Sequence, residues 1–328
     1  MSTNIDREVT MSLTSSIRIA VVCGGSSAEA EISRITAKGV ANALLETYQN
    51  VSLVELDSNI AKNLLSLNPS VVFPALHGPV GEDGTFQGFL ETLHIPYVGS
   101  GVQASTCAMN KIIAKHIFRS SNLPVAKDVI VYQKQGSLSV SKEIRRLLGD
   151  HVVVKPASLG SALGVRFASS EDEIAAALEL AFQYDTSVLV EQTIVGKEIT
   201  VAVLDRDGLE ALPIIEIKTP PNTWYDFKHR YTAGLSEHIV PAPLPEEQYR
   251  RVQQIAKAAH EVLGCRDLSR ADFVVPEVGE PVLLEVNTLP GMTPTSLYPD
   301  AAKAAGISFK DLVSHLIELA LTRAPFRN

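Results

Sequence analysis

Positive charge is in short supply: 29 lysines and arginines stand against 37 aspartates and glutamates, a formal charge of -8 over 328 residues. No basic field exists to follow a phosphate backbone, which argues against nucleic-acid binding. Long apolar runs are missing too, since stretches such as 19–23 and 71–76 fall far short of the roughly 20 residues that span a bilayer. No membrane crossing is expected. Cysteine is scarce: Cys23, Cys107 and Cys265 are odd in number, far apart and set in apolar surroundings. That excludes a disulfide framework and a cysteine zinc site, and points to a reducing, cytoplasmic compartment. The first sixteen residues, MSTNIDREVTMSLTSS, lack the apolar core of a secretory signal. They read as a frayed tail in which Met11 offers an alternative start.

What remains is 45% hydrophobic and 20% charged, enough for two or three globular domains. From residue 17 the chain alternates strand and helix: a strand over 17–23, a Gly-Gly turn, a helix over 31–45 and a strand over 51–56. This predicts a parallel sheet. A buried strand over 70–76 ends in the polar segment His77 to Gly84, at the carboxyl end of a strand where open α/β sheets place ligands, and a helix over 86–93 follows. Gly99-Ser-Gly-Val-Gln-Ala104 matches a dinucleotide fingerprint by spacing and precedes a long helix-like stretch to about 120. It lies far from the first strand, with no acidic ribose partner about 20 residues on, so a tight interdomain turn is the better reading.

The second region has strands over 129–132, 151–155 and 164–167 and a helix over 170–181, an α+β pattern. A third region opens with a strand over 187–191, carries a long strand over 198–204 and a polar loop over 220–237, and closes with two strands around Asp272 and Glu285 before a helix over 309–321.

The strongest chemical signal is the hairpin from Arg270 to Asn287, with its turn near Val278 and Gly279. Strand alternation puts Arg270 and Asp272 on one face of the first strand, and Glu285 and Asn287 on one face of the second, opposite Leu284 and Val286. A symmetric turn sets Asp272 across from Glu285. Opposed carboxylates destabilise a sheet unless a cation lies between them, and Asp272, Glu285 and Asn287 offer the all-oxygen set suited to Mg²⁺ or Mn²⁺. The alternative is a structural salt bridge in which Arg270 alone neutralises the pair.

Weaker signals accompany it. Lys155 ends an apolar strand and precedes a small-residue loop, Pro156 to Gly164, whose N–H groups could close over phosphate oxygens, while no Walker A motif exists. Gly24-Gly-Ser-Ser-Ala-Glu29 follows the first strand, where Glu29 could meet an ammonium group or merely complement a helix dipole. His77, at a strand end, reads as a substrate-side contact at most.

In order along the chain, Gly-Gly-Ser-Ser-Ala-Glu29, Leu-His77-Gly with Gly-Glu-Asp-Gly84, Met109-Asn-Lys111, Val-Lys155-Pro with Gly160-Ser161, Glu191 to Glu198, Tyr225-Asp-Phe with Arg230-Tyr231, and Glu285-Val-Asn-Thr-Leu-Pro-Gly-Met-Thr293 with Ser296-Leu297 resemble the D-alanine:D-alanine ligase family of the ATP-grasp superfamily. The resemblance implies a Rossmann-like parallel-sheet domain followed by a two-subdomain ATP-grasp fold, α/β and then α+β. The corresponding units are a tail over 1–16, a substrate domain over 17–103, a central subdomain over 104–190 and a C-terminal subdomain over 191–328. It implies ATP as co-substrate, with Lys111, Lys155 and Arg230 near the phosphates, Glu191 at the adenine edge and Glu198 at the ribose. Two Mg²⁺ or Mn²⁺ ions on Asp272, Glu285 and Asn287 follow from it, as does an acyl-phosphate route to D-alanyl-D-alanine for peptidoglycan. By the same resemblance Arg270 and the Gly291 N–H stabilise the oxyanion, Glu29 holds the first ammonium beside His77, and Ser296 with Leu297 meets the second carboxylate. The resemblance further implies that Ser161 and Tyr231 join Glu29 in closing a loop, and that the protein forms a homodimer.

Arg230 stands where many relatives have lysine, Ala162 replaces a common serine, and Pro79 and Pro294 flank the substrate segments. These departures bear on the second substrate, for which D-lactate, D-serine or another amino acid is the near alternative. Tyr231 favours the dipeptide. A nicotinamide-dependent oxidoreductase, resting on the 99–104 motif, and a non-catalytic amino-acid-binding protein, resting on the Glu29 segment, are the distant rivals.

Overall fold

The computed structural model describes residues 16–323 except Asn222 and Ala233. The expected tail therefore falls almost wholly outside the described residues. The first unit is built from β1 (Arg18–Cys23), α1 (Ala30–Leu45), β2 (Asn50–Glu55), α2 (Ile60–Leu67), β3 (Val71–Pro74) and α3 (Thr85–Thr92). Its sheet is parallel in the order β2-β1-β3, as the alternation predicts. From Ile19 to Cys23 every residue of β1 is buried, which suits a central parallel strand covered on both faces. The turn after it needs glycine: Gly24 and Gly25 take φ +80° and +91°, and a Cβ on Gly24 would sit 1.8 Å from Glu55 Oε1. Ser33 then pins α1 to the strand ends, its Oγ accepting from Gly24 N at 2.8 Å and donating to Ala75 O at 2.6 Å.

The helix-like stretch after Gly101 is two helices, α4 (Val102–Met109) and α5 (Lys111–Ser120), rather than one. Asn110 breaks it: its backbone is extended, and its side chain caps α5 by accepting from Ile112 N and Ile113 N, each at 3.1 Å. The middle sheet comprises β4 (Asp128–Tyr132), α6 (Ser137–Leu148), β5 (Val152–Pro156), β6 (Arg166–Ala168), α7 (Glu171–Ala181) and β7 (Ser187–Gln192). Its strands run antiparallel in the order β4-β7-β5-β6.

The third sheet takes β8 (Lys197–Asp205), β9 (Leu209–Ala211), β10 (Ile215–Lys218), a short α8 (Phe227–Tyr231), β11 (Glu237–Ile239), α9 (Glu246–Leu263), β12 (Leu268–Val275) and β13 (Val282–Asn287). The order is β11-β10-β8-β12-β13 with β9 beside β8. Two helices, α10 (Leu297–Ala304) and α11 (Phe309–Thr322), end the described chain. Alternation along β8 divides two cores. Ile199, Val201 and Val203 pack with Val252, Ile255 and Ala259 of α9, whereas Ala202 and Leu204 join the cluster containing β1, α1, α10 and α11. The end of the chain thus shares a core with its beginning.

The sequence reading leaves helices α2, α6, α9 and α10 and strands β9, β10 and β11 unassigned. The omission of α9 is a missed signal, because Val252, Ile255, Ala256, Ala259 and Leu263 recur at helical spacing and Gly264 ends the helix in the left-handed conformation. The loop over 220–237 contains α8 and leads directly into β11.

Among the described residues no helix is long and apolar enough to cross a membrane.

Candidate active site

A cleft opens between the middle and third sheets, lined among others by Lys155 and Glu191 from the middle sheet and Glu198, Arg230 and Glu285 from the third. Hairpin register fixes its floor. Asp272 pairs with Glu285 and Arg270 with Asn287, as alternation predicts, but the register then slips so that Phe273 faces Leu283. This bulge leaves Leu284 as the extra residue. It corrects the expectation that Leu284 lies on the face opposite Glu285: Leu283 and Val286 fill the core, and Leu284 lines the cleft beside Glu285.

Each opposed carboxylate is met by a cation. Arg270 grips Asp272 through two bonds, Nε to Oδ1 at 2.9 Å and Nη2 to Oδ2 at 2.8 Å, and Thr200 Oγ1 donates to Oδ1 at 2.6 Å. Asn287 Nδ2 approaches Asp272 Oδ2 at 3.4 Å, which turns its amide oxygen away from that carboxylate. Arg270 does not neutralise the pair alone, because Lys111 Nζ stands 3.3 Å from Glu285 Oε2. Burial would raise the Glu285 pKa, but Lys111, Arg230, Lys155 and Arg270 together hold it down at about 2. The donors that could take a hard cation are all oxygens, and Glu285, ionised and facing the cleft, is the best disposed of them.

Lys111 also donates to Leu159 O at 2.5 Å, tying α5 to the small-residue loop after β5. In that loop Ser161 and Ala162 take φ +51° and +58°, left-handed conformations unusual for residues with a Cβ. Lys155 Nζ sits 2.5 Å from Glu191 Oε2. Glu191 is almost wholly buried, and although burial opposes ionisation, Lys115 and Lys155 bring its pKa down to about 2. Glu198 behaves oppositely: burial raises it to about 7, with Asp272 and Glu285 adding to the rise against Arg230 and Lys155. Arg230 stacks its guanidinium 4.6 Å from the Tyr225 ring centre and donates from Nε to Tyr225 O at 3.2 Å.

At the inner end of the cleft three distant segments meet. Glu29 stands at the start of α1, and its Oε1 accepts from Ser161 Oγ and, at 2.8 Å, from Tyr231 OH. Ser161 and Tyr231 are themselves 2.8 Å apart. Glu29 therefore points its carboxylate into the site instead of capping its helix. Beneath it His77 is buried with Nε2 3.0 Å from Thr36 Oγ1, and burial lowers its pKa, against the pull of Glu29, which favours the neutral ring. On the far side Thr293 N donates to Ser296 Oγ at 3.0 Å, and a Cβ on Gly291 would lie 2.8 Å from the same oxygen. Only glycine fits there without displacement. The Leu297 side chain is buried in the core, so its backbone N–H at the start of α10 is the part available to a ligand.

Sequence reasoning missed five contributors. Thr200 holds Asp272, and Lys115 pairs with Glu191 from behind the cleft. Trp224 meets Phe167 edge to face at 5.4 Å, and both line the cleft. Glu82 accepts from Gly78 N at 2.5 Å, and burial raises its pKa to about 8, with Glu29 adding to the rise. Its place in Gly-Glu-Asp-Gly84 marked the segment but gave it no role. Lys115 follows Lys111 by one helical turn, yet a lysine on a helix ordinarily reaches water, so spacing gave no distinction.

Residues 117–318 match the family model described as D-ala D-ala ligase C-terminus, and residues 59–100 match D-ala D-ala ligase N-terminus. The chain is 44% identical over 310 residues to the D-alanine–D-alanine ligase of Halalkalibacterium halodurans, covering 94% of this chain and 100% of that protein. It is 44% identical over 316 residues to the namesake from Pelotomaculum thermopropionicum, with 95% and 99% covered. Among solved structures, the Bacillus anthracis D-alanine–D-alanine ligase complexed with ATP superposes with TM-score 0.81 at 33% identity, covering 93% of this chain and 98% of that one.

Proposed function

The chain belongs to the D-alanine–D-alanine ligase family, and from that premise we propose how its own residues join two D-alanines at the expense of ATP. The observation that carries the reading is the meeting of Glu29, Ser161 and Tyr231 at the inner end of a cleft lined by Lys111, Lys155, Arg230 and Glu285. It sets a substrate-sized polar site against a cationic one.

A carboxylate is a poor electrophile, so ATP first converts the first D-alanine to an acyl phosphate, and the second amine then displaces phosphate. ATP lies in the cleft, with Lys111, Lys155 and Arg230 at its phosphates, Glu191 near the adenine and Glu198 at the ribose. Catalysis of this kind is mostly positioning and charge neutralisation. Glu29 takes the first ammonium, with His77 beneath it as a neutral support. With Nε and Nη2 committed to Asp272, the remaining Nη1 of Arg270 serves the developing oxyanion together with the Gly291 N–H. The N–H of Leu297 and the Ser296 hydroxyl receive the second carboxylate. Ser161 and Tyr231 hold the loop closed and keep water from the acyl phosphate.

Asp272, Glu285 and Asn287 are the residues that would hold Mg²⁺ or Mn²⁺, supplying charge neutralisation at the transferring phosphoryl group. The expected units over 17–103, 104–190 and 191–328 divide the labour as substrate domain, central subdomain and C-terminal subdomain. A cytoplasmic setting fits the free Cys23, Cys107 and Cys265. A homodimer is proposed on the family resemblance, and sedimentation velocity checks it.

The test is ADP release with ATP, Mg²⁺ and D-alanine, with L-alanine and no-substrate controls and mass analysis of the product. D-alanyl-D-alanine formed only with the D-isomer is the expected result. ADP formed only with a mixture of D-alanine and another acceptor would reassign the second pocket. No ADP under any condition would sink the assignment.

A further inference from the structure

Glu191 is paired from two sides. Lys155 reaches Oε2 at 2.5 Å from β5 and lines the cleft. Lys115, on α5, forms an ion pair with Oε1 from behind and is 1% exposed. Its ammonium also lies 3.5 Å from Leu283 O on β13, so it is held between two sheets. Two ammonium groups and one carboxylate leave the group with one net positive charge.

That surplus matters when an anion enters the cleft. If Lys155 were the only partner of Glu191, turning it toward a phosphate would strand a buried carboxylate, which is strongly unfavourable. We infer that Lys115 is a positioning residue for the nucleotide: a permanent counter-ion to Glu191 that leaves Lys155 free to move from the carboxylate to the phosphates. The inference rests on the reading that ATP occupies this cleft. It explains why a lysine on an otherwise ordinary helix is withdrawn from water, at the cost of desolvating its ammonium. The low pKa of Glu191, to which Lys115 contributes more than Lys155, agrees with it.

The test compares wild type, Lys115→Met, Lys115→Arg, Glu191→Gln and the double variant Lys115→Met/Glu191→Gln in the full chain. Steady-state kinetics and calorimetric binding of ATP and AMP are the readouts. Lys115→Met should raise KM for ATP at least ~10-fold, because breaking a buried ion pair leaves Glu191 competing for Lys155. AMP binding should change far less, since AMP lacks the outer phosphates. Lys115→Arg should keep most of the ATP affinity. Measured against Glu191→Gln alone, the double variant should lose little further ATP affinity, because no carboxylate remains to retain Lys155. An unchanged KM for ATP in Lys115→Met, or equal losses for ATP and AMP with Lys115→Met costing as much on the Glu191→Gln background as on the wild type, overturns the inference. Should Lys115→Met fail to fold, Lys115→Gln carries the same comparison. Failure of the wild type to bind ATP would overturn the functional reading itself, and is distinguished by being visible before any variant is made.

Discussion

Single side chains decide the chemistry, and three of them make separable predictions. Glu285 holds charge at the cleft floor, so Glu285→Gln should lower ATP turnover by ~10²-fold or more, the scale for losing one preorganised electrostatic group. Gln keeps the shape in the strand, so the variant should still fold, with a lowered melting temperature because Lys111 loses its carboxylate partner. Undiminished turnover would remove Glu285 from the site. Tyr231→Phe deletes the hydroxyl that bonds both Glu29 and Ser161 at 2.8 Å. Hydrogen bonds to charged groups contribute about 1.5–3 kcal/mol, so kcat/KM for D-alanine should fall at least ~10-fold. An unaltered kcat/KM would separate Tyr231 from closure. Glu82 supplies a pH signature. Burial lifts its pKa to about 8 in the folded protein from an ordinary value of 4.5. Between these values the folded state binds the proton more tightly than the unfolded state, so this group's contribution to stability declines as pH rises through that window. Glu82→Gln removes the decline. The difference in melting temperature, variant minus wild type, should therefore grow more positive from pH 5 to pH 8, and a flat difference would contradict the burial of Glu82.

At the scale of elements, the break between α4 and α5 has a defined cause. Asn110 caps α5 and also donates from Nδ2 to Ser158 Oγ at 3.1 Å, linking the helix start to the small-residue loop. Asn110→Ala should cost about 1 kcal/mol in urea denaturation, the usual value of an N-cap. The same variant should raise KM for ATP, because Lys111 begins the helix that Asn110 starts. The hairpin shows how far pattern reasoning reaches. Alternation predicted Asp272 opposite Glu285, since side-chain direction in a strand has period two. The bulge at Leu284 was not legible, because nothing local in Val282 to Asn287 distinguishes a regular strand from one carrying an extra residue. Helix α9 is legible from its apolar spacing and its terminal glycine.

At the scale of the whole molecule, the motif at Gly99 proves to be a junction. Asp267 Oδ2 accepts from Gly99 N at 2.7 Å, and Arg323 binds the same carboxylate and donates from Nη2 to Tyr97 O at 2.7 Å. Arg266 adds a bond from Nε to Gly99 O at 2.7 Å. Residues 97–99, 266–267 and 323 are thus latched together where the first unit joins the third. Asp267 is buried, so Asp267→Ala would leave Arg323 and the Gly99 N–H without their acceptor and should cost about 3 kcal/mol in chemical denaturation. A loss below about 0.5 kcal/mol, the range of an ordinary surface change, would show that the latch contributes nothing.

The sequence by itself determined the alternation of strand and helix that opens the first unit, the pairing of Asp272 with Glu285 in the hairpin and the identity of the ionisable groups in the cleft. Each depends on local periodicity or on residue type. Only the tertiary structure decided that Glu29, Ser161 and Tyr231, separated by 132 and 70 positions, share one hydrogen-bonded cluster. It also decided that Lys115 is buried while Lys111 faces the site, and that Glu82 and Glu198 are held near neutrality when Glu191 and Glu285 are strongly ionised. Burial and the placement of neighbouring charges set those differences, and both arise from segments that meet only when the chain folds.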